Sequence, residues 1–240
     1  MAVRMIKYGG SVLRSVRDIG DVADDILGLR GENGGLVVVV SAFEGRTTHL
    51  MYEARALGLP AESSEFAGHV CVGEFECAAA LLGALKARRV DAVVATPARI
   101  GFIASGERLD AEPESLDRAT LQSILQTAPV LIVPGYSAVD LRGKTVLLGR
   151  GGSDLSAIFI AAALRIPAVR LVKDVDAVFD RDPNEHAEAQ RLDYVSYDKA
   201  LEIAGELIQP KALRHAREAG IAIEIAGLGK SAGTIIGPGA

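Results

Sequence analysis

Residues 36–41 read Leu-Val-Val-Val-Val-Ser, an uninterrupted aliphatic run that ends in a hydroxyl. A run of this length without alternating polar residues is typical of a strand buried on both faces, as in a parallel sheet. Val3–Tyr8 is a second such strand and ends at Gly9-Gly10. Between the two strands, Val12–Leu29 has the apolar spacing of a helix. This order of strand, helix and strand favours a parallel α/β sheet.

The alternation continues along the chain. Further strands are predicted at Ala92–Ala95, Val130–Val133, Val146–Leu148, Val169–Val172, Ile221–Ala226 and Thr234–Ile236. Helices are predicted in a stretch that runs through Ala54 and at Glu65–Lys86, Leu155–Leu164, Tyr197–Leu207 and Lys211–Glu218. The polar segment Asp110–Asp117 is interpreted as a surface loop or insertion. We therefore predict an α/β fold, a three-layer sandwich in which helices cover both faces of a mostly parallel, open sheet.

The composition excludes several classes of protein. The chain has 240 residues, with 26 basic and 31 acidic side chains and a formal charge of −5. General nucleic-acid binding is not expected, because phosphate contacts need clustered Lys and Arg. The longest apolar stretch is interrupted by Arg165, Pro167 and Arg170, so no membrane span is expected, and the first residues lack a signal-peptide core. We expect a cytoplasmic protein without nucleic-acid or membrane partners.

Cysteine and histidine give no sign of a disulfide framework or a metal centre. Cys71 and Cys77 are the two cysteines, and we interpret them as small buried thiols that do not pair. The four histidines are scattered and have no metal-ligand spacing. No metal site built from protein ligands is therefore predicted.

Four segments that combine glycine, hydroxyl or charged residues follow predicted strands, where α/β proteins form binding crevices. They are Lys7–Ser11, Ser41–Thr48, Gly149–Asp154 and Lys173–Phe179. Glycines at a strand-to-helix junction let backbone N–H groups approach an anion, and a lysine adds charge. Each segment could also be a tight turn or a helix cap. The third favours function most, because a turn does not need both Arg150 and Asp154, and Arg can bind a carboxylate with two hydrogen bonds.

Taken in order, these segments resemble the aspartokinase branch of the amino acid kinase family. Lys7–Ser11 is similar to the family's Lys-Phe/Tyr-Gly-Gly-Ser/Thr, and Leu148–Asp154 reproduces its Leu-Gly-Arg-Gly-Gly-Ser-Asp without change. Further similar segments are Val39–Thr47, Val133–Tyr136, Asp174–Asp176, Asp182-Pro183, Ser196–Ala204 and Gly233–Ile236. The resemblance spans the entire chain. It implies the amino acid kinase fold as a single domain over 1–240, with an acceptor-binding lobe at about 1–150 and a nucleotide-binding lobe at about 151–240.

The resemblance implies an ATP-dependent kinase that phosphorylates the side-chain carboxylate of an amino acid, with L-aspartate to 4-phospho-L-aspartate as the first expectation. The implied catalytic residues are Lys7, Arg150 and Asp154, with Asp154 orienting Lys7. The implied acceptor-binding residues are Ser41, Thr47, Glu74, Arg150 and Ser153. The implied phosphate and nucleotide ligands are Lys7, Gly9, Gly10, Ser11, Gly151, Gly152, Lys173, Asp174, Asp176, Phe179, Asp182 and Lys211. ATP and Mg²⁺ are the implied cofactors, with Mg²⁺ held through the nucleotide phosphates, and a homodimer is the implied assembly.

Two segments compete for the glutamate that would bind the ammonium group of the acceptor. Gly106-Glu107 matches the family's letters better. Gly73-Glu74, however, opens a helix of small residues and precedes the predicted strand Ala92–Ala95, as the family order requires. We choose Glu74 and interpret Glu107 as a coincidence in a surface loop.

The nucleotide side departs from the family pattern. Lys173 replaces Thr, Ala177 replaces Gly, Phe179 replaces Tyr, and Asn184 replaces the Arg that follows Asp-Pro. A family loop whose lysine meets the phosphates is shortened here to Gly205–Pro210 and has no matching lysine. Lys173 or Lys211 could substitute for it.

Two hypotheses about function therefore stay open. The first is an active carboxylate kinase acting on aspartate or a related acceptor. The second is a catalytically weak member that binds a ligand or serves as a partner subunit. The chain stops soon after Ile236, so we also expect a catalytic domain without the regulatory ACT domains that aspartokinases usually add.

Overall fold

The computed structural model describes residues 3–30, 34–181, 186, 188–203 and 207–238. Its strands are β1 (Val3–Tyr8), β2 (Gly35–Val40), β3 (Ala92–Val94), β4 (Ile103–Glu107), β5 (Asp110–Ser115), β6 (Val130–Pro134), β7 (Ser137–Val139), β8 (Thr145–Leu147), β9 (Ala168–Lys173), β10 (Val178–Phe179), β11 (Arg191–Leu192), β12 (Tyr194–Ser196), β13 (Ala222–Gly227) and β14 (Thr234–Gly237). Its helices are α1 (Ile19–Leu29), α2 (Arg46–Ala56), α3 (Ser64–Val70), α4 (Val72–Ala87), α5 (Arg118–Thr127), α6 (Gly152–Leu164), α7 (Tyr197–Ile203) and α8 (Pro210–Ala219), with a 3-10 turn at Val16–Asp18.

The described residues form one large sheet with two smaller ones beside it. The large sheet has eight strands in the order β12-β14-β13-β9-β1-β2-β6-β3. From β13 to β3 all neighbouring strands are parallel, and β14 runs antiparallel to β13. A four-stranded sheet, β5-β4-β7-β8, and the two-stranded β10-β11 complete the β structure.

Strand β2 shows why the sheet has helices on both faces. All six of its residues are buried. Val37 and Val39 pack in one apolar cluster with residues of α5, α6 and α8, whereas Val38 and Val40 pack in a second cluster with α1 and α4. Burying one such side chain contributes about 1.5–3 kcal/mol, so a strand without polar positions is stable only when covered twice. The predicted three-layer, mostly parallel sandwich is confirmed.

The interpretation of Asp110–Asp117 as a surface loop is wrong. Asp110–Ser115 forms β5, which pairs antiparallel with β4, and Glu107 lies on β4 rather than in a loop. Ala111 and Pro113 point inward along β5, while the acidic residues between them are exposed. The strand is half-buried with a charged outer face, and this outer face gave the segment the composition of a loop.

The predicted helix at Glu65–Lys86 is two helices, α3 and α4, which meet at Cys71. The two helices bury their apolar residues in different places. Phe66 and Val70 of α3 pack in a small cluster with Leu147, whereas Leu81 of α4 packs against the large sheet. One straight helix could not serve both cores. Cys71 and Cys77 are buried free thiols, as predicted.

The predicted helix at Val12–Leu29 begins later than expected. Ser15 caps the 3-10 turn by a capping box with Asp18, and α1 starts only at Ile19. The residues between β1 and this cap therefore form a turn rather than a helix. Among the described residues, none of the helices is long and apolar enough to cross a membrane.

Candidate active site

The carboxyl ends of the neighbouring parallel strands β9, β1 and β2 meet at one edge of the large sheet. Lys7 is the penultimate residue of β1, Lys173 ends β9, and Ser41 directly follows β2. The turn after β1 is tied to β9, because Gly9 N donates a hydrogen bond to Val172 O at 3.2 Å. Crevices that bind ligands in α/β proteins form at such an edge. The sequence segments singled out above therefore meet in space.

Asp154 joins two lysines at this edge. It lies in the first turn of α6, which follows Gly151 in the left-handed conformation. Lys7 Nζ is 2.5 Å from Asp154 Oδ1, and Lys173 Nζ is 2.9 Å from Asp154 Oδ2. The side chains of Lys7, Asp154 and Lys173 are 6%, 4% and 12% exposed. Each carboxylate oxygen thus holds one lysine, and two ammonium groups against one carboxylate leave a positive charge in excess.

Burial and mutual contact shift the pKa values of this group. Burial lowers the pKa of Lys7 to about 8, Asp154 opposes that shift, and Lys173 adds to it. Burial alone would raise the pKa of Asp154, but the neighbouring ammonium groups of Lys7 and Lys173 outweigh it and hold that pKa below its ordinary value. Asp154 therefore stays ionised at neutral pH and can keep both lysines in place.

A cleft of about 440 Å³ opens on the Lys7 side of this edge, and we name it the first cleft. Its polar lining contains most of the residues that the sequence predicted to bind an acceptor. These are Ser41, Thr47, Arg150 and Ser153. Gly151, Gly152 and Lys7 also line it, so one contiguous segment of the chain supplies much of the wall.

Close backbone packing shapes the wall of the first cleft at two glycines. A Cβ on Gly135 would lie 2.8 Å from Ser153 Cβ and 2.9 Å from Val39 Cγ1, closer than side chains can approach. Gly151 has φ +71°, and a Cβ there would lie 2.5 Å from Gln209 Cγ. Both positions therefore require glycine. Gly135 lets the segment after β6 pack against the start of α6, and Gly151 lets the start of α6 pack against the start of α8.

Glu74 lies in the first turn of α4 and is 2% exposed, and it is not one of the residues that line the first cleft. Ala42 N donates to Glu74 Oε1 at 3.3 Å, and Glu74 Oε2 has no hydrogen-bond partner among the described residues. Burial raises the pKa of Glu74 to about 8. An unpaired buried oxygen of this kind is costly, and it is ready to accept a cationic group. The competing Glu107 is exposed on β4.

Three side chains in the wall of the first cleft were not predicted. Met51, Leu109 and Tyr136 contribute apolar surface, and Thr48 and Gly149 complete the lining. Tyr136 has φ +67°, an uncommon conformation for a residue with a side chain. It follows Pro134, which ends β6, and Gly135, and this Pro-Gly pair was the one sign in the sequence of an unusual backbone at Tyr136. Met51 on α2 and Leu109 in the β4–β5 turn carry no local sign of such a role.

A smaller cleft of about 260 Å³ lies on the Lys173 side of the edge, and we name it the second cleft. It brings together four of the predicted nucleotide ligands, Ser11, Lys173, Asp174 and Asp176. Its other lining residues are Val12, Arg14, Asp18, Asp21, Gly227 and Leu228. The two clefts therefore lie on either side of the Lys7–Asp154–Lys173 group.

The remaining predicted nucleotide ligands lie in several places. Gly9 is at the edge itself, and a Cβ on it would lie 3.4 Å from Lys7 Nζ. Gly10 follows it in the same turn, and Phe179 is half-buried on β10. Lys211 lies on α8, where its Nζ donates to Asp110 Oδ1 at 2.9 Å and to Ala111 O at 2.8 Å. Asp182, together with Pro183, Asn184, Gly205 and Glu206, lies outside the described residues.

The second cleft has a limited capacity to hold a metal ion. In the part of the chain that the structure describes, no three His, Cys, Asp or Glu side chains are grouped closely enough to form a metal site. Magnesium is commonly bound by one or two carboxylates together with substrate phosphates and water. Asp174 and Asp176 would suit an ion that arrives with a nucleotide, although Asp176 Oδ2 is already 3.0 Å from Lys230 Nζ.

The chain is similar to proteins of known family over most of its length. The model of the amino acid kinase family matches residues 3–227. The aspartokinase of Helicobacter pylori (strain ATCC 700392 / 26695) is 33% identical over 198 residues, which cover 82% of this chain and 49% of that protein. The aspartate kinase of Pseudomonas fluorescens (strain SBW25) is 32% identical over 233 residues, which cover 94% of this chain and 56% of that protein. The chain thus spans about half the length of these relatives.

Solved structures show the same similarity. The aspartate kinase from Synechocystis superposes with a TM-score of 0.84 at 28% identity, covering 100% of this chain and 40% of that one. The E. coli aspartokinase III in complex with aspartate and ADP has a TM-score of 0.85 at 21% identity, covering 100% of this chain and 65% of that one, and shows the shared fold. Because the family model matches nearly the whole chain and the fold agrees, this chain belongs to the amino acid kinase family.

Proposed function

We propose that this chain transfers the γ-phosphoryl group of ATP to the side-chain carboxylate of an amino acid, with L-aspartate as the acceptor and 4-phospho-L-aspartate as the product. The observation that carries the proposal is the buried carboxylate of Asp154, which holds Lys7 at 2.5 Å on the side of a cleft lined by Arg150. The relatives named aspartokinase, and the solved aspartokinase in complex with aspartate and ADP, support the choice of acceptor and nucleotide.

The reaction requires neutralisation of charge more than covalent chemistry. A carboxylate oxygen of the acceptor attacks the γ-phosphorus, the bond from that phosphorus to the β,γ-bridging oxygen breaks, and ADP leaves. Two anions must approach each other, and negative charge spreads over the equatorial oxygens during transfer. In this proposal Lys7 neutralises those oxygens, and the backbone N–H group of Gly10 donates to them. The N–H groups of Gly9 and Gly152 already donate to Val172 O and Gly149 O, so these two glycines contribute the close approach of the backbone. Asp154 keeps Lys7 charged and in position, so little reorganisation is needed in the transition state.

The first cleft has groups of the right charge to orient an amino acid. Arg150 is exposed at its rim and can bind the α-carboxylate with two hydrogen bonds. Glu74 can accept the α-ammonium group at its unpaired Oε2, and the cation would lower the pKa of that carboxyl from about 8. The hydroxyls of Ser41, Thr47 and Ser153 can then hold the side-chain carboxylate near Lys7. The acceptor would be fixed at three points, which sets the direction of attack.

Mg²⁺ would add charge neutralisation on the ATP phosphates. Asp174 and Asp176 in the second cleft are the residues that could contact such an ion. Nucleotide binding by the C-terminal part of the chain from about residue 151, acceptor binding by the part before it, a homodimeric assembly and a cytoplasmic location stay predictions.

Hydroxylamine trapping tests the proposed function. Acyl phosphates react with hydroxylamine to give hydroxamates, which are detected with ferric iron. Purified protein, MgATP and L-aspartate should give aspartyl hydroxamate in proportion to ADP formed, and omission of either substrate should abolish it. A panel of aspartate analogues and of other nucleotides shows whether a related pair is preferred. If none of these pairs gives a hydroxamate, the proposed kinase activity is wrong and the catalytically weak alternative stands.

A further inference from the structure

Lys173 faces a different cleft from the lysine with which it shares a carboxylate. Its Nζ donates to Asp154 Oδ2 at 2.9 Å, and the residue lines the second cleft rather than the first. Lys7, on the other oxygen of Asp154, lines the first cleft. Asp154 therefore binds two lysines, of which Lys7 faces the first cleft and Lys173 faces the second.

The backbone beside Lys173 brings the glycine turn after β1 to the same region. Lys173 ends β9 and follows Val172, whose carbonyl accepts the hydrogen bond from Gly9 N. The glycine turn after β1 and the ammonium group of Lys173 thus lie next to each other on adjacent strands. A group bound between them would contact the lysine and a turn formed by two glycines, which have no side chains to block it. Lysines beside glycine turns are a recurrent arrangement for binding phosphate.

The charges in the second cleft make Lys173 the cation at its inner end. The cleft carries four aspartates, of which Asp18 is paired with Arg14 at 3.2 Å and Asp176 with Lys230 at 3.0 Å. Arg14 is 69% exposed, whereas Lys173 is 12% exposed. A polyanion that enters the cleft would therefore meet its strongest attraction at Lys173, where water screens the charge least.

We propose that Lys173 is a second catalytic lysine, which binds the β- and γ-phosphates of ATP from the second cleft while Lys7 contacts the transferred group from the first cleft. This inference rests on the proposed function and identifies the residue that serves its nucleotide. When the γ-phosphorus bonds to the acceptor oxygen, the electron pair of the broken P–O bond stays on the β-phosphate of ADP. Lys173 stabilises the charge that develops there, and no proton is transferred.

Nucleotide affinity separates this role from a purely structural one. If Lys173 only positions Asp154, its loss lowers kcat but changes the affinities for ADP and adenosine to the same small extent. If Lys173 binds phosphate, its loss weakens ADP binding and leaves adenosine binding unchanged. A charge-assisted hydrogen bond of this kind corresponds to about a tenfold to hundredfold change in affinity.

The test compares Lys173→Met, which keeps the length of the side chain, with Lys173→Arg, which keeps its charge. Lys86→Met is the control, since Lys86 is an exposed lysine paired with Asp91 at 2.8 Å, far along α4. Binding of MgADP and of adenosine is measured by calorimetry for each protein, and kcat is measured by hydroxamate formation. We expect Lys173→Met to weaken ADP binding about tenfold or more, Lys173→Arg to recover part of it, and Lys86→Met to match the wild type.

The outcomes test the kinase activity and the phosphate-binding role of Lys173 separately. Unchanged ADP affinity in Lys173→Met, or equal losses for ADP and adenosine, overturns the role of Lys173 even if the wild type forms hydroxamate. A selective loss of ADP affinity supports Lys173 even if no hydroxamate forms, in which case only the kinase reaction fails. If Lys173→Met does not fold, the same two affinities are measured in Lys173→Gln, which also removes the charge, and unchanged ADP affinity in that variant overturns the role of Lys173.

Discussion

The two clefts on either side of Asp154 differ in how many segments of the chain form their walls. The first cleft draws much of its wall from one contiguous segment, residues 149–153, which lies at the start of α6. The second cleft is assembled from the turn after β1, the start of α1, the end of β9 and the loop after β13. A site formed by one segment is recognisable from one short motif, whereas a site formed by several loops can differ from the family pattern in one loop and match it in the others. Lys173, which stands where the family has Thr, is such a difference in the second cleft.

Replacement of Lys7 should have the largest effect, because Lys7 serves the reacting group between both clefts. In Lys7→Met we expect kcat to fall about 100- to 1000-fold, as is usual when one group that stabilises developing charge is lost. Asp154 keeps Lys173 as a partner, so the variant should fold. Hydroxamate formation measures kcat, and thermal unfolding checks the fold. A folded Lys7→Met protein with kcat close to that of the wild type would remove Lys7 from the mechanism.

Replacement of Arg150 should affect the first cleft alone. Loss of its contact with the α-carboxylate should raise the KM for the acceptor about 10- to 100-fold in Arg150→Ala, while the KM for ATP changes little. Arg142→Ala is a suitable control, because Arg142 is also exposed but lies in the turn between β7 and β8. Equal increases in the two KM values would mean that the two clefts do not divide the substrates as proposed.

Glu74 should make stability depend on pH in a defined direction. Burial raises its pKa to about 8 from an ordinary 4.5, so the folded protein binds this proton more tightly than the unfolded chain does. Between about pH 5 and pH 7.5 the free energy of unfolding should therefore fall as pH rises, by on the order of 3 kcal/mol. Lys7, with a pKa lowered to about 8, acts above this window, and Asp154 acts below it.

The Glu74→Gln variant isolates this contribution, because the amide does not titrate. Denaturant unfolding of both proteins at several pH values in the window should give a difference that changes steadily with pH, in the direction of relative loss of wild-type stability. A difference that does not vary with pH would show that Glu74 is ionised throughout and is not the unpaired acid that the first cleft requires.

Gly151 should give the smallest effect of the four. Its φ of +71° costs an alanine about 1–2 kcal/mol, and a Cβ would also press on Gln209 at the start of α8. Gly83→Ala is the matched control, since a Cβ there has no neighbour within 4 Å and alanine favours the helix by about 0.5–1 kcal/mol. Thermal unfolding should therefore shift in opposite directions for the two variants. A stabilised Gly151→Ala would show that the wall of the first cleft is not constrained in this way.

The sequence predicted most of the large sheet, because its central strands are buried on both faces and therefore contain long aliphatic runs such as Leu36–Val40. It missed β4, β5, β7 and β10–β12, and the helix α5. The missed strands are short or carry polar residues, as β5 does with the exposed Glu112, so none of them has a long aliphatic run. It also ran α3 and α4 together, because helical spacing continues across Cys71 while the partners of the two helices differ.

The site was predictable where its residues are contiguous in the sequence and include charged side chains that a simple turn does not need, as with Arg150 and Asp154. The side of the edge on which each lysine lies was not predictable, because it depends on the pairing of β9 with β1. Lys173 and Lys211 appeared as equal substitutes in the sequence. In the structure Lys173 contacts Asp154, whereas Lys211 is bonded to the β4–β5 hairpin.

In the proposed reaction a carboxylate oxygen of the acceptor becomes bonded to phosphorus at the Lys7–Asp154–Lys173 edge. The most direct measurement uses L-aspartate labelled with ¹⁸O in its side-chain carboxylate, with MgATP and hydroxylamine. Hydroxylamine attacks the acyl carbon of the product, and the released phosphate keeps the bridging oxygen. When both oxygens of that carboxylate are labelled, we expect inorganic phosphate that carries one ¹⁸O atom, in an amount equal to the hydroxamate formed. Phosphate without label would show that water, not the carboxylate, accepts the phosphoryl group, and the proposed acceptor chemistry would be wrong.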